Sequence, residues 1–353
     1  MGAEVEAAER APKSWRHPLA FTTAFLTLLM IVLGATVTTI EAGDSDPTWS
    51  FFRPWEWFRP AEGGLWYELM HRRLGTIIGF FGIALVVSLW RSEPRRWARR
   101  LGYTTFGLIV VQGLIGGLRI HVVSSPGVRD FFVDTFGWDQ HALRMAVAMV
   151  HAFNAQLVFC LLVVVTLVTS RGWIRGEAKR AVSAATSGTR AVCVLTCAAI
   201  FVQLLLGAFI RHGRVFWPSQ SVPLHEAMTW IHMGFALVVV ALLFLLNART
   251  RAKHPAAFPI WHLAGLAKFL VLLQLFLGFG AWAVTLRGEI AMPGDVAMLV
   301  RTGHVANGAM IFAIVVTMTV RSFKLLVRPG SQPKPDAEPT IVQPPKDQRE
   351  VPA

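Results

Sequence analysis

"VQGLIGGLRIH" at 111–121 returns as "VQLLLGAFIRH" at 202–212 and, shortened, as "LQLFLGFGAW" at 273–282. Each phrase places a glycine four residues after a glutamine: Gln112 and Gly116, Gln203 and Gly207, Gln274 and Gly278. A spacing of four puts both on one face of a helix, where the glycine admits a close neighbour and the amide can bond a polar group. Plain helix packing would also use such a face. Recurrence in alternate helices nevertheless argues for an internal duplication.

The surrounding composition says what kind of helices these are. Of 353 residues, 54% are hydrophobic and only 16% charged, and the mean hydropathy is +0.50. A soluble chain carries about 25% charged residues. The apolar residues gather into blocks near the ~20 residues that cross a bilayer, at about 18–40, 74–90, 101–122, 145–169, 190–210, 227–247, 264–286 and 299–320. The first is too long for a signal peptide and lacks a small-residue cleavage site. The expected fold is an all-α membrane protein of eight transmembrane helices, arranged as two pseudo-symmetric four-helix bundles.

An even number of spans puts both ends on one side. Lys and Arg concentrate in the N-terminal segment, in the loops after the second, fourth and sixth spans, and in the tail, whereas the opposite loops carry arginine alone. The positive-inside rule makes the basic side cytoplasmic, in a cell inner (plasma) membrane. The net charge of +13 reflects that asymmetry and an anionic inner leaflet; nucleic acid is not implied. The expected organisation is a cytoplasmic segment 1–17, a first bundle 18–170, a cytoplasmic linker 171–189, a second bundle 190–325 and a disordered tail 326–353. Cys160, Cys193 and Cys197 all fall inside spans and read as small apolar fillers.

A second repeat occupies the even spans. His71, His151, His232 and His304 each lie in the outer half of spans 2, 4, 6 and 8. Two inward imidazoles from facing helices suit a haem iron, which takes one nitrogen on each side of its plane. Zinc would want three or four converging ligands, and the spans offer no cysteine or carboxylate beside most of these histidines. Glycines leave room for a flat macrocycle. Arg72, Arg119 and Arg211 stand at the outer interface as candidates for pairing propionates or for ordinary interfacial anchoring. His225 and His141 lie near loop residues and read as too shallow, while His121 and His212 read as interfacial.

The halves differ at one place. Glu68 precedes His71 by three residues and shares its helix face, whereas the equivalent residue before His232 is Thr229 and before His304 is Arg301. A carboxylate at the edge of one site alone can move protons or stabilise developing charge; the plainer alternative is a salt bridge to Arg72 or Arg73.

The pattern resembles the haem A synthase family. Eight helices, two homologous halves, one histidine per even helix, the Glu68-x-x-His71-Arg72 phrase, "GATVTTIEAGDSDPTW" at 34–49 and "GLIGGLRI" at 113–120 carry the likeness, over about residues 18–325. The resemblance implies oxidation of the C8 methyl group of haem O to a formyl group, giving haem A for terminal oxidases. It implies His71 and His151 as ligands of substrate haem O, His232 and His304 as axial ligands of a resident haem b, and Glu68 as the catalytic carboxylate. The implied partners are the prenyltransferase that supplies haem O, an electron donor or acceptor such as a quinone, the lipid bilayer, and further copies of the chain in a homo-oligomer. Two departures stand out: the outer loops hold no cysteine pair, and Thr38 or Thr39 stands near where the family carries an arginine. The alternative from another class is a dihaem b-type cytochrome exchanging electrons with quinol. The prenyltransferase itself would need Asp-rich Mg²⁺ motifs, and the helices hold none.

Overall fold

Hydrocarbon offers a backbone no water to bond with, so each apolar block must close its own hydrogen bonds as a helix. A computed structural model of the chain describes residues 15–46, 59–137, 139–176, 180–216, 222–287 and 294–330. Eight helices in it are long and apolar enough to cross a membrane: α1 Arg16–Thr39, α2 Gly63–Ser92, α3 Arg96–Ser124, α4 Gln140–Thr169, α5 Thr186–Phe216, α6 Val222–Lys253, α7 Phe258–Arg287 and α8 Gly294–Leu325.

Most helices run past the apolar blocks that announce them. At 1.5 Å per residue, the 30 residues of α2 span about 45 Å, against ~30 Å of hydrocarbon. The added turns before residue 74 carry Glu68, Arg72 and Arg73, which lower hydropathy but are strong helix formers. The site residues therefore stand on the end of a rigid rod instead of on a loop.

Packing follows two rings. α1, α2, α3 and α4 close one, each touching the next and α4 returning to α1; α5 to α8 repeat the circuit. The rings meet where α1 packs on α8 and α4 packs on α5 and α8. Ala20, Leu85, Leu89, Val158, Leu162 and Val165 fill the inner part of the first ring. Leu243, Leu246, Ile260, Val315 and Met318 fill the second. Phe80, Leu237 and Phe276 are more than 60% exposed and face outward, as lipid contact demands. Cys160 and Cys193 are buried, and no cysteine is paired.

The end of the bundle away from the histidines is tied by polar clamps. Glu93, 2% exposed just beyond α2, accepts from Arg16 Nη1 at 2.8 Å and from Arg95 Nε at 2.6 Å and Nη2 at 2.9 Å. Arg95 also donates to the Val168 carbonyl at 2.8 Å, so all four helices of the first ring meet there. Burial pushes the Glu93 carboxyl up, but hydrogen bonds and charge from Arg95, with the charge of Arg16, outweigh it and hold its pKa below the ordinary value. In the second ring, His254 Nε2 lies 2.8 Å from Thr189 Oγ1, and burial pushes its pKa down.

The linker differs from expectation at one point. Ala181–Val182 forms a two-residue parallel bridge with Leu326–Val327, and Arg190 donates to the carbonyls of Ser322, Phe323 and Leu326. Leu326 is fully buried, so the first residues of the segment expected to be disordered are held, because an apolar side chain there has a core to enter. Residues 331–353 lie outside the described residues.

Glu93→Gln should lower stability at pH 7 by about 1–3 kcal/mol, the usual loss when a buried charge-assisted network is weakened. A depressed carboxylate stabilises above its unfolded pKa of ~4.3 and loses that contribution as pH falls through its folded value. The gap between variant and wild type should therefore narrow as pH falls below ~4.3 and close once pH passes the lowered folded value. Thermal unfolding in detergent at pH 7 and in acid checks this; a gap that persists in acid would assign the loss to packing.

Candidate functional site

A histidine can reach the middle of a helical ring only where the facing helix leaves space. His71 on α2 faces His151 on α4 with ring centroids 6.4 Å apart and planes at 58°. His232 on α6 faces His304 on α8 at 6.3 Å and 68°. Behind each ring lies a glycine of the preceding helix. A Cβ built at Gly34 would stand 2.9 Å from His71 Cε1, at Gly116 3.2 Å from His151 Cε1, at Gly207 3.1 Å from His232 Cε1, and at Gly278 3.0 Å from His304 Cε1. The same ring atom meets the same backbone position four times.

The repeated glutamines do a related job. Gln112, Gln203 and Gln274 donate through Nε2 to the carbonyls of His151, His232 and His304 at 3.1, 2.9 and 3.0 Å. Asn154 holds the Gln112 oxygen at 2.8 Å, and Asn307 holds that of Gln274 at 2.7 Å. Phe235 occupies the matching place on α6, leaving Gln203 Oε1 buried without a donor. Sequence reading found three copies of the phrase and missed the fourth, because α1 keeps the glycine but carries Met30 where the glutamine belongs.

Only the first pair has a carboxylate network beside it. Glu68 is 3% exposed; its Oε2 accepts the Asp46 backbone N–H at 2.9 Å, and its Oε1 accepts Arg72 Nη2 at 2.5 Å. Arg72 Nη1 and Arg59 Nη2 each lie 2.8 Å from Asp46 Oδ2. Of the two arginines weighed as partners of Glu68, Arg72 takes the role, while Arg73 turns to the Arg59 carbonyl at 3.4 Å. Asp46 and Arg59 escaped the sequence reading: nothing in their spacing ties a loop acid to a helix 22 residues away. Asp46 is delivered by the 3-10 turn Ala42–Asp44 that follows α1. Trp49, part of the same loop motif, lies outside the described residues.

The candidate arginines divide by site. Arg119 lies against Gly43, where any Cβ would overlap its guanidinium, and its charge bears on Glu68, His71 and His151. Arg211 leaves α5 for the other half, donating to the Ala35 carbonyl and, at 2.8 Å, to Thr39 Oγ1 on α1. At the place matching Glu68, Thr229 supplies only a hydroxyl, which donates to the His225 carbonyl at 2.7 Å. His212 and His225 are each 6% exposed; His225 packs on Gly213 and, unlike His232, does not face His304. No cluster of three or more metal-ligating side chains occurs among the described residues.

A family model described as cytochrome oxidase assembly protein, COX15-CtaA, matches residues 60–232. Over that stretch the chain is similar to the family. The match takes in Glu68, His71, Arg72, His151 and His232 and ends before α7 and α8. No curated protein matches the chain.

Asp46→Ala should destabilise the protein by about 1–3 kcal/mol, since Arg72 loses one of its two carboxylate partners in a buried network and keeps Glu68. Arg59, with its side chain 35% exposed, should cost less than about 1 kcal/mol when changed to Gln. Thermal unfolding of the two variants side by side would disprove the network's weight if they matched.

Proposed function

We propose that this protein is a haem A synthase, an oxidoreductase that converts the C8 methyl of haem O to the formyl group of haem A. The observation that carries the reading is the pair of matched histidine sites of which only one has a buried carboxylate one helical turn away. The residues fit haem. Metal–imidazole bonds of about 2 Å, with the radius of each ring added, separate two centroids by a little over 6 Å across one iron; both pairs meet that spacing. His71, His232 and His304 keep a buried Nδ1 free of any hydrogen bond, while Nε2 of His232 and of His304 lies 3.3 Å from the amide nitrogen of Gln203 and of Gln274.

In this reading His71 and His151 bind substrate haem O, while His232 and His304 hold haem b, which when bound supplies one-electron transfer. Arg119 and Arg72 provide positive charge for carboxylates at the first site. Glu68 does the proton work. Oxidising a methyl group to a formyl group gives up four electrons, which must pass to an acceptor such as a quinone, and releases protons; each oxygen of an ionised carboxylate accepts more than one hydrogen bond. Glu68 can thus hold Arg72 and the Asp46 N–H and still take a proton from the substrate side. Its negative charge also favours positive charge developing on the substrate.

The engagement of both Glu68 oxygens also suits a purely structural ion pair, as in a second reading, a dihaem b-type cytochrome exchanging electrons with a quinone. Haem extraction and mass identification separate the two. Glu68→Gln should fold and keep haem b, yet yield ~10²- to 10⁴-fold less haem A, in cells lacking another synthase and supplied with haem O by its prenyltransferase. Normal haem A would reduce Glu68 to an ion-pair partner, and a wild type that makes none would favour the cytochrome. His232→Ala or His304→Ala should abolish the low-spin haem b spectrum, and His225→Ala should preserve it; the reverse would mean that the wrong turn of α6 has been assigned.

A further inference from the structure

At the end of the bundle away from the histidines, a cavity of about 270 Å³ opens between α6 and α7, lined by Arg251, His262, Gly265, Leu266 and Lys268. The proposed chemistry uses none of these residues. Three carry nitrogen donors, none is acidic, and the glycine sits among them.

Three observations point to an anionic ligand with an apolar body. Asn247, one turn before Arg251, is 7% exposed, and its buried Nδ2 has no hydrogen-bond partner. A Cβ at Gly265 would stand 3.5 Å from that Nδ2 and 3.6 Å from Arg251 Nη2. The glycine thus leaves the two donors facing the space it vacates. Lys268 lies near the start of α7, a helix long and apolar enough to cross a membrane, its ammonium 5.6 Å from the centre of the Phe244 ring and paired with no carboxylate among the described residues. An ionisable group on such a helix marks a ligand unless it is paired. Finally, Phe244, Phe258, Leu266 and Phe269, between 40% and 64% exposed, present hydrocarbon beside the polar lining, and Arg251 is braced 4.8 Å over Trp261.

We propose that this cavity binds the phosphate headgroup of an anionic phospholipid from the leaflet at that end. Arg251 and Lys268 supply charge, Asn247 supplies a neutral donor at the floor, and the acyl chains lie along the exposed aromatic face. A soluble phosphate would use the same cations but would gain nothing from the apolar rim, and Lys268 would reach it only by extending its stem out of the membrane. The site is independent of the haem reading.

Native mass spectrometry of the full chain, released from detergent with phosphatidylglycerol or phosphatidylcholine of equal acyl length, tests this. Phosphatidylglycerol should bind the wild type about tenfold more tightly, and Arg251→Gln with Lys268→Gln should weaken it by about fivefold for each basic side chain lost. Gly265→Leu fills the cavity while keeping both charges and should lose the same preference; it decides the matter if the double variant fails to fold, as judged by helical circular dichroism. Equal binding of the two lipids by the wild type, or an undiminished preference in Gly265→Leu, overturns the proposal. Displacement of phosphatidylglycerol by millimolar inorganic phosphate alone would reassign the cavity to a soluble anion and overturn the lipid assignment.

Discussion

Four imidazoles share one requirement, that the helix in front of each give up its side chain. Gly34, Gly116, Gly207 and Gly278 meet it, and much else follows. Two helices can approach closely only where small residues line the contact, so the position of each glycine sets how α1 meets α2, α3 meets α4, α5 meets α6 and α7 meets α8. The histidines then face one another in pairs because their helices lie across a ring of four. The glutamine one turn before the glycine reinforces the register by bonding the histidine's own carbonyl, in the three helix pairs that have one.

Onto this repeated frame the chain places unlike chemistry. The first ring receives Glu68, locked from two sides by a helix neighbour and by a loop backbone N–H; the second receives the Thr229 hydroxyl at the corresponding place. A buried carboxylate held by an arginine and an amide is fixed in direction, which a lone surface glutamate would not be. The same contacts that fix it compete for its oxygens, so positioning and reactivity are coupled at this residue. Asp46 is where that coupling is set, because it engages both members of the pair.

The sequence displayed the frame far better than the site's wiring. Apolar blocks announced eight helices because hydrophobicity is additive along a chain. The histidine series was readable because one residue type recurred at one depth. The ends of α2 and α6 were not, since charged helix formers lower hydropathy without ending a helix. Asp46 and Arg59 were invisible because a contact between a loop and a helix leaves no periodic trace. How closely His212 and His225 are covered was likewise not legible, since position beside a loop or an arginine does not tell how neighbouring helices pack on a side chain. Met30 hid the fourth repeat by breaking the half of the motif that catches the eye, while the glycine that does the steric work stayed in place.

Arg211 has a consequence of another kind. By helix order, α5 in the second ring corresponds to α1 in the first, and counting from the matched glycines the residue corresponding to Arg211 is Thr38. Two identical rings related by a dyad would make every contact between them twice. Here the arginine crosses to the Ala35 carbonyl and Thr39 on α1, and no arginine stands at the reciprocal position to return the contact. The joint between the halves is therefore handed: one half gives and the other receives. A tandem of two first halves would lack the donor altogether, so the two rings, alike as they are in outline, are not interchangeable parts.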